Sequence, residues 1–240
     1  MVLFIPINMQ KSSFHVTLLE NPTKEFSYFL GYLWADGYLT KSNGISLEIV
    51  STDCNVIKSS LYTLGNFNFN ERHRKEKDGC NRKPITNIQM SNVFLKDFLL
   101  KFNYKNKSTE NFSKIYEWLP CDLKHYFLRG LIDGDGCIYL NHKNHSYQFH
   151  ISSTIDQDWS YLTSIFNSLG LTFTITKRIQ KRTQGVNKSS KIQITNVNSI
   201  LKLLEFVYTN YNQDSIGLSR KYEKFQEIKN RAQIKNKNKK

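Results

Sequence analysis

The chain spells one supersecondary unit twice. "FLGYLWADGYLT" (29–40) and "FLRGLIDGDGCIYL" (127–140) are each an aromatic-rich run at helical spacing that ends on Asp-Gly and passes into strand-like sequence. Asp36-Gly37 lies over Asp135-Gly136, an offset of 135 − 36 = 99. Three further landmarks follow in the same order: "ISLEIVST" (45–52) over "YQFHISST" (147–154), "YTLG" (62–65) over "FNSLG" (166–170), and "IQMSNV" (88–93) over "IQITNV" (192–197). The offset drifts only from 99 to 105, which differences in hairpin length absorb. Each copy carries apolar faces that need a partner, and the other copy is at hand.

Within each unit the hydrophobic period alternates between 3.6 and 2. A helix (about 24–36 and 122–135) feeds a two-stranded hairpin. A second helix (about 53–64 and 156–168) feeds a longer hairpin, and a third helix follows. The expected fold is α+β, two pseudo-symmetric αββαββα repeats packed through the motif helices. Its expected divisions are an N-terminal extension (1–22), a first repeat (23–117), a second repeat (118–230) and a basic tail (231–240), with "WLPCD" as the junction. Thr23 and Asp122 stand where helix N-caps are expected.

The motif helices carry small residues four apart, Gly31 and Ala35 in one and Gly130 and Gly134 in the other. Residues at i and i+4 share a face, so each helix has a bare strip that lets two backbones approach closely. Pairing of the strips brings both helix ends together and makes Asp36 and Asp135 neighbours. A carboxylate opposes the dipole at a helix C-terminus, and two of them repel each other. A hard divalent cation resolves the conflict, and Mg²⁺ suits such oxygen ligands, with Mn²⁺ or Ca²⁺ as substitutes. The carbonyls of Ala35 and Gly134 are candidate further ligands. Gly37 and Gly136 are expected to supply a left-handed turn between helix and strand.

A net charge of +14 favours a polyanionic partner. No run is long and apolar enough for a membrane span, and the N-terminus "MVLFIPINMQKSSF" lacks a basic region followed by an apolar core. The cations cluster in the two long hairpins, "ERHRKEKDGCNRK" (71–83) and "KRIQKRTQGVNKSSK" (177–191). In the second, Thr174, Thr176, Arg178, Gln180, Arg182, Lys191 and Gln193 share a polar face, against Phe173, Ile175 and Ile179 on the other. The first offers Asn68, Asn70, Arg72, Arg74 and Gln89. Such nearly acid-free faces carry the side chains that read base edges in the major groove. Double-stranded DNA is therefore the expected partner, lying along a saddle of two sheets. The tail "KNRAQIKNKNKK" (229–240) reads as a mobile extension or a disordered end. Cys54, Cys80, Cys121 and Cys137 show no C-x-x-C spacing and read as small buried residues of an intracellular protein. "NHKNHS" (141–146) packs its histidines into one hairpin tip, unlike a ββα metal site. Richness in Asn, Lys and Ile suggests an AT-rich genome, organellar, phage or bacterial.

"GYLWADG" and "GLIDGDG", with the strand and helix order around them, resemble the two motifs of the LAGLIDADG homing endonucleases in their single-chain form. The likeness covers about residues 24–230. It implies that Asp36 and Asp135, the last acids of the motifs, bind Mg²⁺ between two scissile phosphates. It implies a monomer that cuts a long DNA site with short 3′ overhangs, in the service of intron or intein-like mobility. Trp34 departs from the acid usual two positions earlier, which Asp133 keeps; that acid is not the family's metal ligand. Lys107 in "YKNKST" and Lys221 in "LSRKYEKF", with Arg220 beside it, match the basic residues near each phosphate. Ser51, Ser153 and Gln157 match its water-ordering polar positions. An intron maturase or another DNA-binding protein on the same fold, without cleavage, is the alternative.

Overall fold

The computed structural model describes residues 13–40, 44–73, 83–141, 146–182 and 185–237. In the first repeat α1 (Lys24–Asp36) runs into β1 (Gly37–Leu39) and β2 (Gly44–Val50). Next come α2 (Ser51–Tyr62), β3 (Asn68–Arg72), β4 (Ile85–Ser91) and α3 (Val93–Lys101). A short α4 (Ser113–Trp118) leads to the second repeat: α5 (Lys124–Asp135), β5 (Gly136–Asn141), β6 (Ser146–Thr154), α6 (Ser160–Ser168), β7 (Thr174–Arg182), β8 (Gly185–Ile194) and α7 (Val197–Val207). Two more helices follow, α8 (Tyr211–Asp214) and α9 (Ser219–Lys237). Each repeat closes a four-stranded antiparallel sheet, ordered β1-β2-β4-β3 and β5-β6-β8-β7. The architecture is the expected α+β pair of repeats.

Alternation places Ile45, Leu47, Ile49, Ile88 and Met90 on the inner face of the first sheet, and Ile138, Phe149, Ile151, Ile192 and Ile194 on that of the second. All are buried, each contributing about 1.5–3 kcal/mol by leaving water. Between the sheets α1 and α5 pack side by side with almost no side chain separating them. A Cβ on Gly31 would stand 1.9 Å from the Phe127 carbonyl oxygen, and one on Gly130 would stand 2.0 Å from that of Tyr28. Ser27 extends the strip to three positions four apart, its hydroxyl donating to the Leu123 carbonyl at 2.8 Å. The strips predicted from spacing are the contact.

Several local expectations give way to tertiary context. Thr23 caps α1, accepting from the Phe26 amide. Asp122 does not cap α5, because Cys121–Leu123 forms a 3₁₀ turn ahead of the helix. Gly37 and Gly136 are extended, at φ −80° and −74°, so no left-handed turn is needed. Glycine is required there for space: a Cβ would lie 2.5 Å from Leu33 Cδ2 at the first and 2.5 Å from the Ile132 carbonyl oxygen at the second. The helix expected from residue 156 begins at Ser160. Its intended first turn binds the inter-repeat segment instead: the Asp158 amide donates to the Thr109 carbonyl at 3.1 Å and Gln157 Nε2 to the Glu110 carbonyl at 2.6 Å. Residues 229–237 of the expected loose tail continue α9 as helix. Cys54 is buried as expected, but Cys121 and Cys137 are exposed, and Cys80 lies outside the described residues. So does most of "NHKNHS", although Asn141 pairs with Ser146 as a hairpin requires.

Candidate metal and nucleic-acid site at the motif-helix ends

Because α1 and α5 pair along their length, they terminate together. Asp36 and Asp135 are both exposed at that shared end, and a Cβ on Gly134 would lie 3.2 Å from Asp36 Oδ2. Surrounding protein strips part of the hydration from these recessed carboxylates. That desolvation, followed by the Asp36 charge, pushes the Asp135 carboxyl up to about 6 against the pull of Lys107 and Lys221. Asp36 is raised as well, by desolvation opposed by the same two lysines. Two repelling acids at one mouth form an anionic site.

Two lysines answer the helix ends. Lys107 Nζ donates to the carbonyls of Trp34 and Ala35 at 2.7 and 2.5 Å. Lys221 Nζ donates to those of Ile132, Asp133 and Gly136 at 2.5, 2.7 and 2.7 Å. Each thus brings a cationic donor to C-terminal carbonyls of its own repeat's motif helix and complements the helix dipole. Burial lowers both ammonium groups to about 8; Asp135 is the strongest acid opposing this at Lys107, and Asp133 at Lys221. The Ala35 carbonyl, a candidate metal ligand from sequence, is engaged by Lys107.

The odd residues of the two motifs have structural work. Asp133 is 1% exposed and accepts from the Leu218 amide at 2.8 Å and the hydroxyls of Tyr28 and Tyr208 at 3.0 and 3.2 Å. Trp34 is buried edge-on against Tyr104 and Phe112. Sequence reasoning missed Arg129, fully buried on α5, which donates to the carbonyls of Val207, Thr209 and Ile216 and pairs with Asp214. It also missed the bidentate pair of Arg220 with Asp53, at 2.8 and 2.6 Å, which ties α9 to α2 across the repeats. Neither partner could be identified from sequence positions 85 and 167 apart.

A cavity of about 290 Å³ opens beside Asp135, with Lys107, Ser152, Ser153, Gln157 and Asp158 among its polar lining and Trp34, Phe112, Ile151, Trp159 and Leu162 among its apolar lining. Ser153 donates to Gln157 at 2.8 Å there. Ser51, its counterpart, is buried and accepts from Thr86 at 3.0 Å.

The strand registers set the outer faces. Across the second sheet His150, Gln193 and Thr174 align, then Ser152, Lys191 and Thr176; Arg178 faces Ser189 and Gln180 faces Asn187. Thr174, Thr176 and Arg178 are exposed, and Gln180, Lys191 and Gln193 half-buried. Across the first sheet Ser46, Gln89 and Asn68 align, as do Glu48, Asn87 and Asn70, and Arg72 follows on the same face. Asn68, Asn70, Arg72 and Gln89 are exposed. Arg74 and the side chain of Arg182 lie outside the described residues. Two corrections follow. Glu48 stands on the first face and pairs with Arg72, so that face is not acid-free. Ile175 and Ile179 do share a face, but they are 42% and 64% exposed, because the β7–β8 hairpin projects beyond the core.

Residues 122–208 match the model of the LAGLIDADG-like domain, and residues 25–91 match that of the WhiA LAGLIDADG-like domain. The chain is also 26% identical over 196 residues to the ATP-dependent DNA helicase Hel308 of Methanocaldococcus jannaschii. That alignment takes in 82% of this chain but 15% of the helicase, so the chain spans only a small part of its relative's length.

Proposed function

The chain is a LAGLIDADG protein with both motifs on one polypeptide, and from that premise we propose that it is a site-specific endonuclease that hydrolyses both strands of a long DNA target. The observation that carries the proposal is the joint ending of α1 and α5, with Asp36 and Asp135 exposed at one mouth where each helix passes directly into the first strand of its own sheet. The donor chemistry fits a hard divalent cation. Among the described residues no group of three or more His, Cys, Asp or Glu stands ready for a metal, so two carboxylates would share it with water and phosphate oxygens, as Mg²⁺ prefers. Bound there, Mg²⁺ supplies activation of water and neutralisation of charge at the phosphates. Asp36 and Asp135 hold it, Lys107 and Lys221 fix the helix ends that carry them, and the outer sheet faces set the register on the duplex. Both halves of the site come from one chain, so a monomer suffices. Mobility of the coding segment between genes is part of the proposal.

The test is incubation with a plasmid library of sheared source DNA in Mg²⁺, with capture and sequencing of the ends released. One recurrent site with staggered ends is expected, and Asp36→Asn or Asp135→Asn should slow its cutting about 1,000-fold, the scale of losing one electrostatic stabiliser. No recurrent site, with wild type and both variants alike, overturns the reading. The second reading, a maturase or another DNA-binding protein that does not cut, is favoured by the WhiA-type match of the first repeat. Binding of DNA without scission would establish it.

A further inference from the structure

The cavity beside Asp135 is walled by aromatic rings that are fixed in place. Trp34, Phe112 and Trp159 line it, and all three are buried. Trp34 lies edge-on to Tyr104, Phe112 packs against Tyr116, Phe127 and Tyr161, and Trp159 Nε1 donates to Ser190 at 2.9 Å. Voids of this size are rare in close-packed protein. An apolar cavity of about 150 Å³ takes up benzene. The 290 Å³ found here admits a fused heteroaromatic ring.

The polar groups of the cavity suit a ligand that donates. Gln157 spends its amide on the Glu110 carbonyl at 2.6 Å, and its oxygen accepts from Ser153 at 2.8 Å. Trp159 has given its N–H to Ser190. Asp158 accepts at one oxygen from the Ser160 amide at 2.8 Å and at the other from Asn111 Nδ2. A carboxylate has about four acceptor sites, so each oxygen keeps one. Partial desolvation opposes its charge, yet the bonds from Ser160 and Asn111 hold the carboxyl below its ordinary value. Ser152 and Asp135, both exposed, are also among the lining, so the cavity opens at the surface proposed for the duplex. The other half of the molecule differs. There the offset of 153 − 51 = 102 puts Ile57 where Trp159 stands and Val56 where Asp158 stands, and Arg220 and Asp53 form their two-bonded pair.

Resting on the DNA-bound state of the proposed function, and not on cutting, we propose that this cavity holds one purine base of the bound duplex, swung out of its stack. The purine carries an exocyclic amine, which donates to Asp158 while the ring lies among Trp34, Phe112 and Trp159. Burial among the rings and the bond to Asp158 offset the lost stacking. Thymine, with carbonyls in place of the amine, sets an oxygen against the carboxylate and is rejected.

The test first isolates a duplex by repeated selection for binding in Ca²⁺, a step that needs no scission. Fluorescent 2-aminopurine, which keeps an exocyclic amine, then replaces each purine of both strands in turn. On binding, its emission should rise about fivefold at one position of one strand, as stacking is lost. Ser153→Phe, which fills the cavity, should abolish the rise. Thymine at that position should weaken binding of wild type about tenfold, the scale of one base-edge contact. Asp158→Asn, whose amide can donate to a carbonyl, should erase that preference. Should Ser153→Phe fail to fold, the position scan and the near-isosteric Asp158→Asn still decide. Flat emission at every position, or a rise and a preference that neither variant alters, would overturn the inference. Quenching of tryptophan emission by free deoxyguanosine monophosphate, with 2-aminopurine flat, would put a free nucleotide in the cavity and overturn it too. A rise without cutting in Mg²⁺ would keep the pocket and end the endonuclease reading; cutting with flat emission would do the reverse.

Discussion

At the scale of single residues, Asp135 is an acid held where its charge is unwelcome. Desolvation and the neighbouring Asp36 lift its pKa to about 6, above its ordinary value of 3.8. The folded state therefore holds this proton more tightly than the unfolded chain does. Its contribution to stability is full below about pH 4 and is lost as pH rises through 6. In EDTA, the melting temperature of wild type relative to Asp135→Asn should accordingly fall between pH 4 and 7, and Mg²⁺ at pH 7 should recover it. Below pH 6 protons compete with the metal, so the Mg²⁺ effect should weaken with each further unit. A wild type that tracks Asp135→Asn across the range, with no response to Mg²⁺, would show that this acid neither repels Asp36 nor binds metal.

At the scale of elements, the interface of α1 with α5 depends on backbone touching backbone. The carbonyl oxygens 1.9 and 2.0 Å from the imagined Cβ atoms belong to helices and cannot swing aside. Gly31→Ala and Gly130→Ala should therefore each cost about 3 kcal/mol or more in urea unfolding, beyond any gain in helix propensity. A neutral result at either position would mean that the helices sit farther apart. Periodicity revealed these helices, their strips and the alternating strands, because those features repeat along the chain and depend on neighbours three, four or two positions away. It did not reveal that α6 starts at Ser160, since the preceding turn is recruited by residues 108–111, more than 40 positions earlier. Nor did it reveal the lysines' grip on the helix ends, or the Arg220–Asp53 and Arg129–Asp214 pairs. The site's acids were legible because each sits inside a repeated motif. Of its supporting groups, Lys107 and Lys221 were reached through the family resemblance alone, and the carbonyls they hold were not legible, because only the folded chain brings them there.

At the scale of the whole molecule, the two sheets are pseudo-symmetric in topology and unequal in charge. The described strands of the second sheet carry no Asp or Glu, while Arg178 and Lys191 stand on its outer face. On the first sheet the corresponding face spends part of its positive charge internally, since Glu48 pairs with Arg72 and also accepts from Asn87 at 3.5 Å. A phosphate approaching Arg72 must compete with that carboxylate, and the carboxylate itself repels the duplex. Each phosphate neutralised on duplex DNA contributes about −0.9 to the slope of log K against log salt. Glu48→Gln should free Arg72 for such a contact, tightening binding several-fold at low salt and steepening the slope by about 0.9. Titrations of labelled target in Ca²⁺ from 50 to 200 mM salt would measure both quantities. If the slope stays where it was, Arg72 does not face the backbone, and the duplex lies along the second sheet's hairpin more than across both.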